Sequence, residues 1–573
     1  MNLIEVLNLV TPDIGRSSAG FAPEIVIVAT IVLLLVWRLF QRTTRSNLSG
    51  IALIGALLAL VASLLQLCNL VGRAALAEAG PTGKVAASMA GWVSTAPDAK
   101  PNDEPMDLFT GAVKTVTENP SDRDSIPKGM LRFDGFTVFF RMFLFAFAAL
   151  VIWLTKLTGI PDAEDSPDFY TLLLGATLGM SLMASANHLL MIYIAVEMAS
   201  LPSYAMAGFL KGRRDASEAS LKYVVYGAGA SGVMLYGISL LVGRFGTAHV
   251  PSLALAMAQP VAGPMEGIVI LGLLLVLVGI GFKIAAVPFH FWCPDVFEGA
   301  AAEVAGFLSV ASKAAALALL ARFTVSLTIN QTVSGVDDHP PVDMYLGAAI
   351  AFMAAITATY GNLAAYAQTN LKRLLAFSTI AHAGYMMMPL AAAITLARGH
   401  TGHAQPALES LVFYLMIYLF MNLGAFAVVA LIRNQIRSED LKDYSGLIRR
   451  CPFLTVAMAV FLLSLTGIPP LAGFAAKWNI IYVLFQSELY WLLAVILANT
   501  VFSAFYYVKV LRVMILDEPP ESATTWTVPR PAALFCGVLI AANFGVMLMW
   551  KAWDGMTAFT RLAVPDLLEA FKL

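Results

Sequence analysis

The chain has 573 residues, of which 59% are hydrophobic and only 13% charged, and its mean hydropathy is +0.76. This composition excludes an ordinary soluble domain, and the formal net charge of -1 gives no reason to expect a nucleic-acid partner. The cysteines form no Cys-x-x-Cys pair, so the sequence predicts neither a disulfide framework nor an iron-sulfur or zinc site. They are Cys68, Cys293, Cys451 and Cys536.

Apolar stretches of about 20 residues, each sufficient to cross roughly 30 Å of hydrocarbon, recur along the chain. They predict an all-α polytopic membrane protein with about fourteen transmembrane helices. The predicted spans are 21–39, 48–71, 135–157, 169–187, 188–210, 217–243, 266–285, 303–323, 344–362, 371–396, 408–432, 453–486, 489–515 and 531–551.

The order of these spans predicts six segments. Two N-terminal transmembrane helices (1–71) precede an extramembrane insertion rich in Ala, Gly, Pro and Asp (72–133). The third helix and its loop follow (134–168). The remaining segments are two five-helix units (169–323 and 324–515) and a last segment with span fourteen and an interfacial tail (516–573).

The two five-helix units share a pattern of interruption. The fourth helix of each is broken, at Pro288 in the first and at Gly467-Ile468-Pro469-Pro470 in the second. A unit with an odd number of spans must appear inverted when it is used again. Matching broken helices in inverted halves point to a transport site.

Basic residues in the short loops predict the orientation. Loops after odd-numbered spans carry most of them, which predicts that these loops are cytoplasmic. Both termini and the 72–133 insertion are therefore expected outside. The basic residues that carry this prediction are Arg42, Arg45, Lys211, Arg213, Arg214, Lys372, Arg373, Arg433, Arg437, Lys442, Arg449, Arg450, Lys509 and Arg512, against Arg244 and Arg398 in the even-numbered loops.

The first interruption is flanked by two buried lysines. Lys283 ends an otherwise apolar run, Pro288 follows five residues later, and Lys313 lies in the middle of the next apolar run. A lysine at the bilayer centre costs about 2.5–3.5 kcal/mol on insertion scales, so each should face the protein interior or a water-filled cavity. Backbone groups freed by the break need the same environment. These features indicate a route for a small cation, most simply a proton.

Glu197 lies about ten residues inside an apolar span. One interpretation is a neutral or hydrogen-bonded buried acid. The other pairs it with Lys283: at about 6 Å and an effective dielectric of about 20, their attraction is about 2.8 kcal/mol. Burial disfavours the ammonium and the carboxylate favours it. Opening or closing this pair would therefore switch the protonation of Lys283.

Four further groups are candidates, and two of them have an alternative interpretation. Lys222, near the cytoplasmic end of span six, either takes part in proton uptake or extends its ammonium to the interface. Lys313 lies too deep for that, and Lys477 follows the second break, so both are predicted relay groups. His382 occupies in the second unit the helix that Glu197 occupies in the first, but a core histidine is often only a hydrogen-bonding group.

The polar turn after the first break supplies the last candidate. His290 could pass protons, although turn packing explains it equally well. Asp295 and Glu298 in the same stretch are interpreted as solvated or capping residues at the cytoplasmic face.

Six motifs resemble the N-subunit family of bacterial NADH-quinone oxidoreductase (respiratory complex I), whose mitochondrial counterpart is chain 2. They are VEMASLPSYAMAGF, SEASLKYVVYGAGASGVMLYGISLL, GFKIAAVPFHFWCPDVFEGA, FLSVASKAAALALL, NLKRLLAFSTIAHAGY and SLTGIPPLAGFAAKW, and the resemblance runs from about Phe169 to Arg512.

The resemblance implies the antiporter-like fold, with fourteen helices, an inverted five-helix repeat and broken helices seven and twelve. It also implies that Glu197 and Lys283 form the family's ion pair. Lys222 then corresponds to its helix-six lysine, Lys313 to its central relay lysine and Lys477 to its exit lysine.

Such a subunit is expected to pump protons and to perform no redox step. NADH, FMN, iron-sulfur clusters and quinone are then expected in partner subunits, and no cofactor or metal in this chain. The implied partners are the other membrane subunits of complex I and the lipid bilayer. The implied location is the bacterial inner membrane.

This chain departs from the family pattern EGAPTPV, because it reads EGAAAEV from Glu298. The change leaves the shape of the loop and any role of Glu303 open. Two other functions remain: a subunit of a multisubunit sodium/proton antiporter, and a membrane scaffold whose buried charges only support helix packing.

Overall fold

The computed structural model describes residues 20–40, 48–79, 129–162, 165–257, 264–329, 342–397, 404–520 and 524–548. These ranges are almost entirely helical, and their only extended pairings are isolated bridges. The helices are α1 Ala22–Phe40, α2 Ser49–Ala79, α3 Gly135–Thr158, α4 Ser166–Ser185, α5 Leu189–Ala207, α6 Arg214–Phe245, α7 Val250–Met257, α8 Pro264–Ile284, α9 Trp292–Gly299, α10 Ala302–Phe307, α11 Lys313–Ile329, α12 Val342–Ala365, α13 Leu371–Ala397, α14 Gln405–Ile436, α15 Leu447–Arg450, α16 Pro452–Thr466, α17 Ala472–Gln486, α18 Tyr490–Ile515 and α19 Arg530–Leu548.

The predicted membrane-spanning architecture is confirmed. Ten helical stretches in the described ranges are long and apolar enough to cross a membrane, with α10 and α11 counted as one through the π-helical turn Leu308–Ser312. The other four predicted spans are also helical, in α1, α4, the pair α16 and α17, and α19. Span α10–α11 and helix α13 are buried along their apolar lengths and form the core, whereas α2 is largely exposed to its surroundings.

The two five-helix units repeat the same local pairing. In the first, a bridge joins His188, before the unit's second helix, to His249, after its third. In the second, the corresponding bridge joins Asn370 to Asp440. Each bridge has the same backbone bonds, with Leu189 N donating to Ala248 O at 2.8 Å and Leu371 N to Glu439 O at 2.9 Å. The two units therefore share this backbone pairing at corresponding positions, as a repeat requires.

Both predicted breaks are present, and a side chain satisfies a freed carbonyl at each. Helix α8 ends at Ile284, and the indole of Trp292 donates to the carbonyl of Phe282 at 2.9 Å. Helix α16 ends at Thr466, where Gly467 has φ +87°. The breaks differ in proportion, because α9 is much shorter than α8 whereas α16 and α17 are equally long.

The predicted second span, 48–71, agrees with the candidate membrane span Ser49–Leu70. Helix α2 continues to Ala79, since the stretch ALAEA is rich in residues that favour helix. The rest of the predicted insertion to residue 128, the tail from residue 549, and Arg42, Arg45 and Arg398 lie outside the described residues.

Candidate functional site

Lys283 and Glu197 lie close together at the first break without touching. The Lys283 ammonium is fully buried and donates to the hydroxyl of Ser200 at 3.0 Å. Its distance to the Glu197 carboxylate exceeds the 4.0 Å of a direct ion pair. Ser200 is three residues after Glu197 on α5, so it shares that face of the helix. The amine is therefore held about one helical turn from the carboxylate.

The Glu197 carboxylate has a polar partner of its own. It accepts a hydrogen bond from the hydroxyl of Ser231 on α6. The Ser200 hydroxyl donates in turn to the carbonyl of Val196 at 2.6 Å. Ser231 therefore links the acid to α6, and Ser200 links the amine to the backbone of α5. The sequence analysis predicts a role for neither serine.

Lys222 belongs to a charge cluster at one end of the helices. Its ammonium lies 2.7 Å from Asp295 and 2.9 Å from Glu218, and its side chain is 38% exposed. Asp295 also accepts from Arg373 at 2.8 Å, and Arg373 reaches Glu298 at 2.5 Å. The interpretation of Asp295 and Glu298 as solvated or capping residues is incomplete, because both also have basic partners. Asp295 links the first five-helix unit to the second.

The electrostatics of Asp295 follow from these contacts. Helix α9 lies between the membrane-spanning segments, and burial there would raise the pKa of the carboxyl. Hydrogen bonds from Lys222 and Arg373 outweigh burial and hold the pKa of Asp295 below its usual range. The carboxylate is therefore ionised at neutral pH and forms ion pairs with both Lys222 and Arg373.

Lys313 is buried directly after the π-helical turn Leu308–Ser312. Its ammonium has no hydrogen-bond partner among the described residues, and it lies 5.5 Å from the centre of the Phe297 ring. The hydroxyl of Ser312 also lacks a partner within the described ranges. Lys313 is thus not fixed in an ion pair with a described residue, unlike the buried Arg141 and Arg322.

Lys477 lies at the second break. Its ammonium donates to the carbonyl of Thr466, the last residue of α16, at 2.8 Å and lies 4.9 Å from the ring centre of Tyr385. A cation is favourable at a helix C-terminus, where unpaired carbonyls accumulate. The break therefore supplies the acceptor for this buried lysine.

His382 joins a network of hydroxyl groups near Lys477. Its Nδ1 lies 2.7 Å from the Tyr414 hydroxyl and its Nε2 3.4 Å from that of Tyr507. The Tyr507 hydroxyl reaches Ser378 at 2.5 Å. The His382 and Tyr385 rings are 5.5 Å apart, so the same tyrosine ring adjoins both His382 and Lys477. This arrangement satisfies both nitrogens and also provides a hydrogen-bonded path.

His290 is buried in the turn after the first break and packs against aromatic rings. Its ring centre is 4.4 Å from that of Tyr360 on α12. Its Nδ1 has no hydrogen-bond partner in the described part of the chain, and none of the hydrogen bonds described there joins His290 to Glu197, Lys283 or Lys313. The structure thus brings together Glu197 with Lys283, and His382 with Lys477, but not His290 with either group.

Sequence reasoning missed three further buried ion pairs. Arg141 contacts Glu24 at 2.6 Å, Arg322 contacts Asp134 through both carboxylate oxygens at 2.8 Å, and Lys372 contacts Glu439 at 2.9 Å. Arg141 and Arg322 each interrupt an apolar run, and that signal could have identified them.

The described ranges contain no group of three or more His, Cys, Asp or Glu side chains arranged to hold a metal ion. The polar groups at the two breaks are instead single amines, carboxyls and hydroxyls. Such groups can accept and donate protons without a cofactor.

Three similarities to known proteins extend over most of the chain. Residues 186–503 match the family model described as NADH:quinone oxidoreductase/Mrp antiporter, transmembrane region. NADH-quinone oxidoreductase subunit N of Anaeromyxobacter sp. (strain Fw109-5) is 41% identical over 427 residues, which cover 72% of this chain and 80% of that protein. NADH-quinone oxidoreductase subunit N 2 of Sorangium cellulosum (strain So ce56) is 36% identical over 542 residues, covering 92% and 94%.

Among solved structures, a chain of respiratory complex I from Thermus thermophilus with bound aureothin is similar to this chain. The two are 29% identical with a TM-score of 0.66, over 92% of this chain and 97% of the other. The similarity therefore includes both five-helix units and both breaks.

Proposed function

Because the chain belongs to the NADH:quinone oxidoreductase/Mrp antiporter transmembrane family, we propose that it is the N-type proton-translocating membrane subunit of an NADH-quinone oxidoreductase. Electron transfer from NADH to quinone takes place in other subunits and drives proton movement through this one. It is thus part of a translocase without a redox step of its own.

The observation that carries this proposal is the placement of three buried ammonium groups in one chain. Lys283 is held one turn from Glu197, Lys313 lies in the core without a hydrogen-bond partner among the described residues, and Lys477 lies at the second break beside the network of His382. Isolated buried charges are costly, and buried ammoniums with exchangeable partners suit proton transfer.

The proposed route runs across both five-helix units. Protons enter near Lys222, Glu197 and Lys283, pass Lys313, and leave near Lys477. Movement of Lys283 between Ser200 and Glu197 changes how well its charge is stabilised, because the carboxylate favours the ammonium and the hydroxyl does so less. Quinone reduction in neighbouring subunits biases that movement. His382 lies on the route, and His290 lies beside it.

The proposed setting is the inner membrane of a bacterium, with the loops after odd-numbered spans in the cytoplasm and both termini outside. The partners are the other membrane subunits of the complex. NADH, FMN, iron-sulfur clusters and quinone belong to those partner subunits and to the hydrophilic arm.

The test is proton transport by the assembled complex in proteoliposomes, with Lys283→Ala and Lys477→Ala compared with wild type. The expected result is NADH-driven acidification that is lost in both variants. Sodium-dependent exchange without NADH would instead identify an antiporter subunit. NADH-driven acidification that survives both substitutions would identify a scaffold.

A further inference from the structure

Glu303 carries a carboxyl group that is buried on the proposed cytoplasmic side of Lys313. Glu303 lies in the first turn of α10 and is only 1% exposed. Its Oε2 has no hydrogen-bond partner in the described ranges. A buried carboxylate with an unused oxygen is costly, and evolution retains such a group mainly where another contribution offsets that cost.

Charged groups from three other elements surround this carboxyl. Lys372 on α13 and Arg433 on α14 act on it electrostatically, and the side chain of Thr158 at the end of α3 lies beside it. Neither cation forms a direct ion pair with it; both instead contact Glu439 after α14, at 2.9 and 3.0 Å. With Glu303 ionised, two cations face two carboxylates; with Glu303 protonated, the positive charge is in excess.

Partly exposed groups lie on one side of the Glu303 carboxyl, and the core lies on the other. Glu439 and Arg433 are partly exposed, at 13% and 11%, so they form the outer edge of this cluster. Inward, the same helical segment carries the hydroxyls of Ser309 and Ser312 and then the amine of Lys313. Ten residues of helix separate Glu303 from Lys313, roughly 15 Å.

Polar side chains lie on the inner half of this segment. Ser309 donates to the carbonyl of Gly306 at 2.7 Å and accepts from Asn422 of α14 at 2.5 Å. Ser312 and Lys313 follow with unpartnered polar atoms, within the described ranges, at the π-helical turn. Turns of this type occur often at functional sites.

We propose that Glu303 is a proton-loading group that takes protons from the cytoplasm and passes them along this helical segment to Lys313. The carboxylate binds one proton to become the neutral acid. The excess positive charge of Lys372 and Arg433 then favours release, and the proton moves to the neutral amine of Lys313. This uptake path is separate from Glu197 and rests on the proposed function.

The experiment compares Glu303→Gln, Glu303→Asp and wild type in the assembled complex. Glu409→Gln is the matched control, because it makes the same change on α14 near the opposite end, where Glu409 contacts Gln405. NADH oxidation, proton transport and pH-difference infrared spectra are measured on the same proteoliposomes.

Glu303→Gln is expected to slow NADH-driven proton transport about tenfold at about pH 8, where protons are scarce, and much less at about pH 6. It should also remove a carboxylic acid C=O band that Glu303→Asp shifts and Glu409→Gln retains. If the glutamine variant does not assemble, the band shift in Glu303→Asp decides the question.

If Glu303 is only a fixed countercharge for Arg433, the Glu303→Gln variant would give the opposite result. Its transport per NADH and its infrared spectrum would be unchanged, and only its Tm would be lower. That outcome overturns the inference. Failure of the proposed function is distinguishable, because the wild-type complex itself would then show no NADH-driven transport that depends on Lys477.

Discussion

The two breaks hold their lysines by different means. At the first, Lys283 donates to the hydroxyl of Ser200, and the Glu197 carboxylate lies one turn before that serine on α5. At the second, Lys477 donates to a backbone carbonyl and lies over a tyrosine ring, with histidine and tyrosines nearby. A lysine held by a side-chain hydroxyl near an acid suits the proposed switching, whereas a lysine held by the backbone at a helix end suits transfer at constant geometry.

The largest expected effect is at the first break. Glu197→Gln removes the charge that favours the Lys283 ammonium, while it keeps a side chain that can accept from Ser231. NADH-driven proton transport should fall by about tenfold or more, as is typical when a proton-transfer group is lost. Proteoliposome acidification per NADH measures this.

Glu518→Gln is the control for Glu197→Gln, because Glu518 is an exposed carboxylate far along the chain from both breaks. It should behave as wild type. Normal transport by Glu197→Gln would mean that the two breaks do not differ in function as described.

The second break should depend on its backbone geometry. Gly467 has φ +87°, and an added Cβ would lie 2.9 Å from Cδ of Lys477. Gly467→Ala is therefore expected to cost about 1–2 kcal/mol from the left-handed conformation alone and to displace the Lys477 ammonium. Tm and proton transport should both fall.

Gly229→Ala is the matched control, since it lies in helix α6 and no atom lies within 4 Å of its added Cβ. Its Tm should stay equal or rise, because alanine favours helix. Full transport by Gly467→Ala would show that Lys477 does not need the Thr466 carbonyl.

An intermediate effect is expected where the two units are joined. Asp295→Asn removes the shared acceptor of Lys222 and Arg373 and should slow transport severalfold, an effect comparable to the loss of one charged hydrogen bond of about 1.5–3 kcal/mol. Transport rates at several pH values measure it, with the exposed Glu518→Gln as control.

The pH dependence of these ion pairs has a definite sign. Since the folded pKa of Asp295 is lowered, its stabilising contribution is complete above the unfolded pKa of about 3.9 and is lost as the pH falls through the folded value. Asp295→Asn should therefore leave the shape of the rate profile unchanged between about pH 6 and 8. A changed shape there would show that Asp295 titrates during transport.

The smallest expected effect on transport concerns α19. Asn543 accepts from Ser464 at 2.7 Å, and Ser464 accepts from the backbone N–H of Gly473 in the first turn of α17. Asn543→Ala should lower stability by about 1–3 kcal/mol because it leaves a buried hydroxyl without this partner, with transport nearly unchanged. Thermal unfolding measures it, with the exposed Gln486→Ala as control.

The helices and breaks could be predicted because apolar length and the positions of Pro288 and Gly467 are local properties. Glu197, Lys283, Lys313 and Lys477 could be identified because each places an ionisable group in an apolar run. The partners could not, since Ser200, the Thr466 carbonyl and Asn543 become relevant only through the way helices cross. The ion pairs of Asp295 could not be predicted for the same reason, because Lys222 and Arg373 reach it from distant parts of the chain.

The most direct test of the central claim is a double-mutant cycle of proton transport with Glu197→Gln, Lys283→Met and both together. If the carboxylate acts through the first amine, the double variant should transport no less than Lys283→Met alone, so that the two effects are strongly non-additive. The account would be contradicted if the transport rate of the double variant falls by the product of the two single-variant factors, because Glu197 and Lys283 would then act independently.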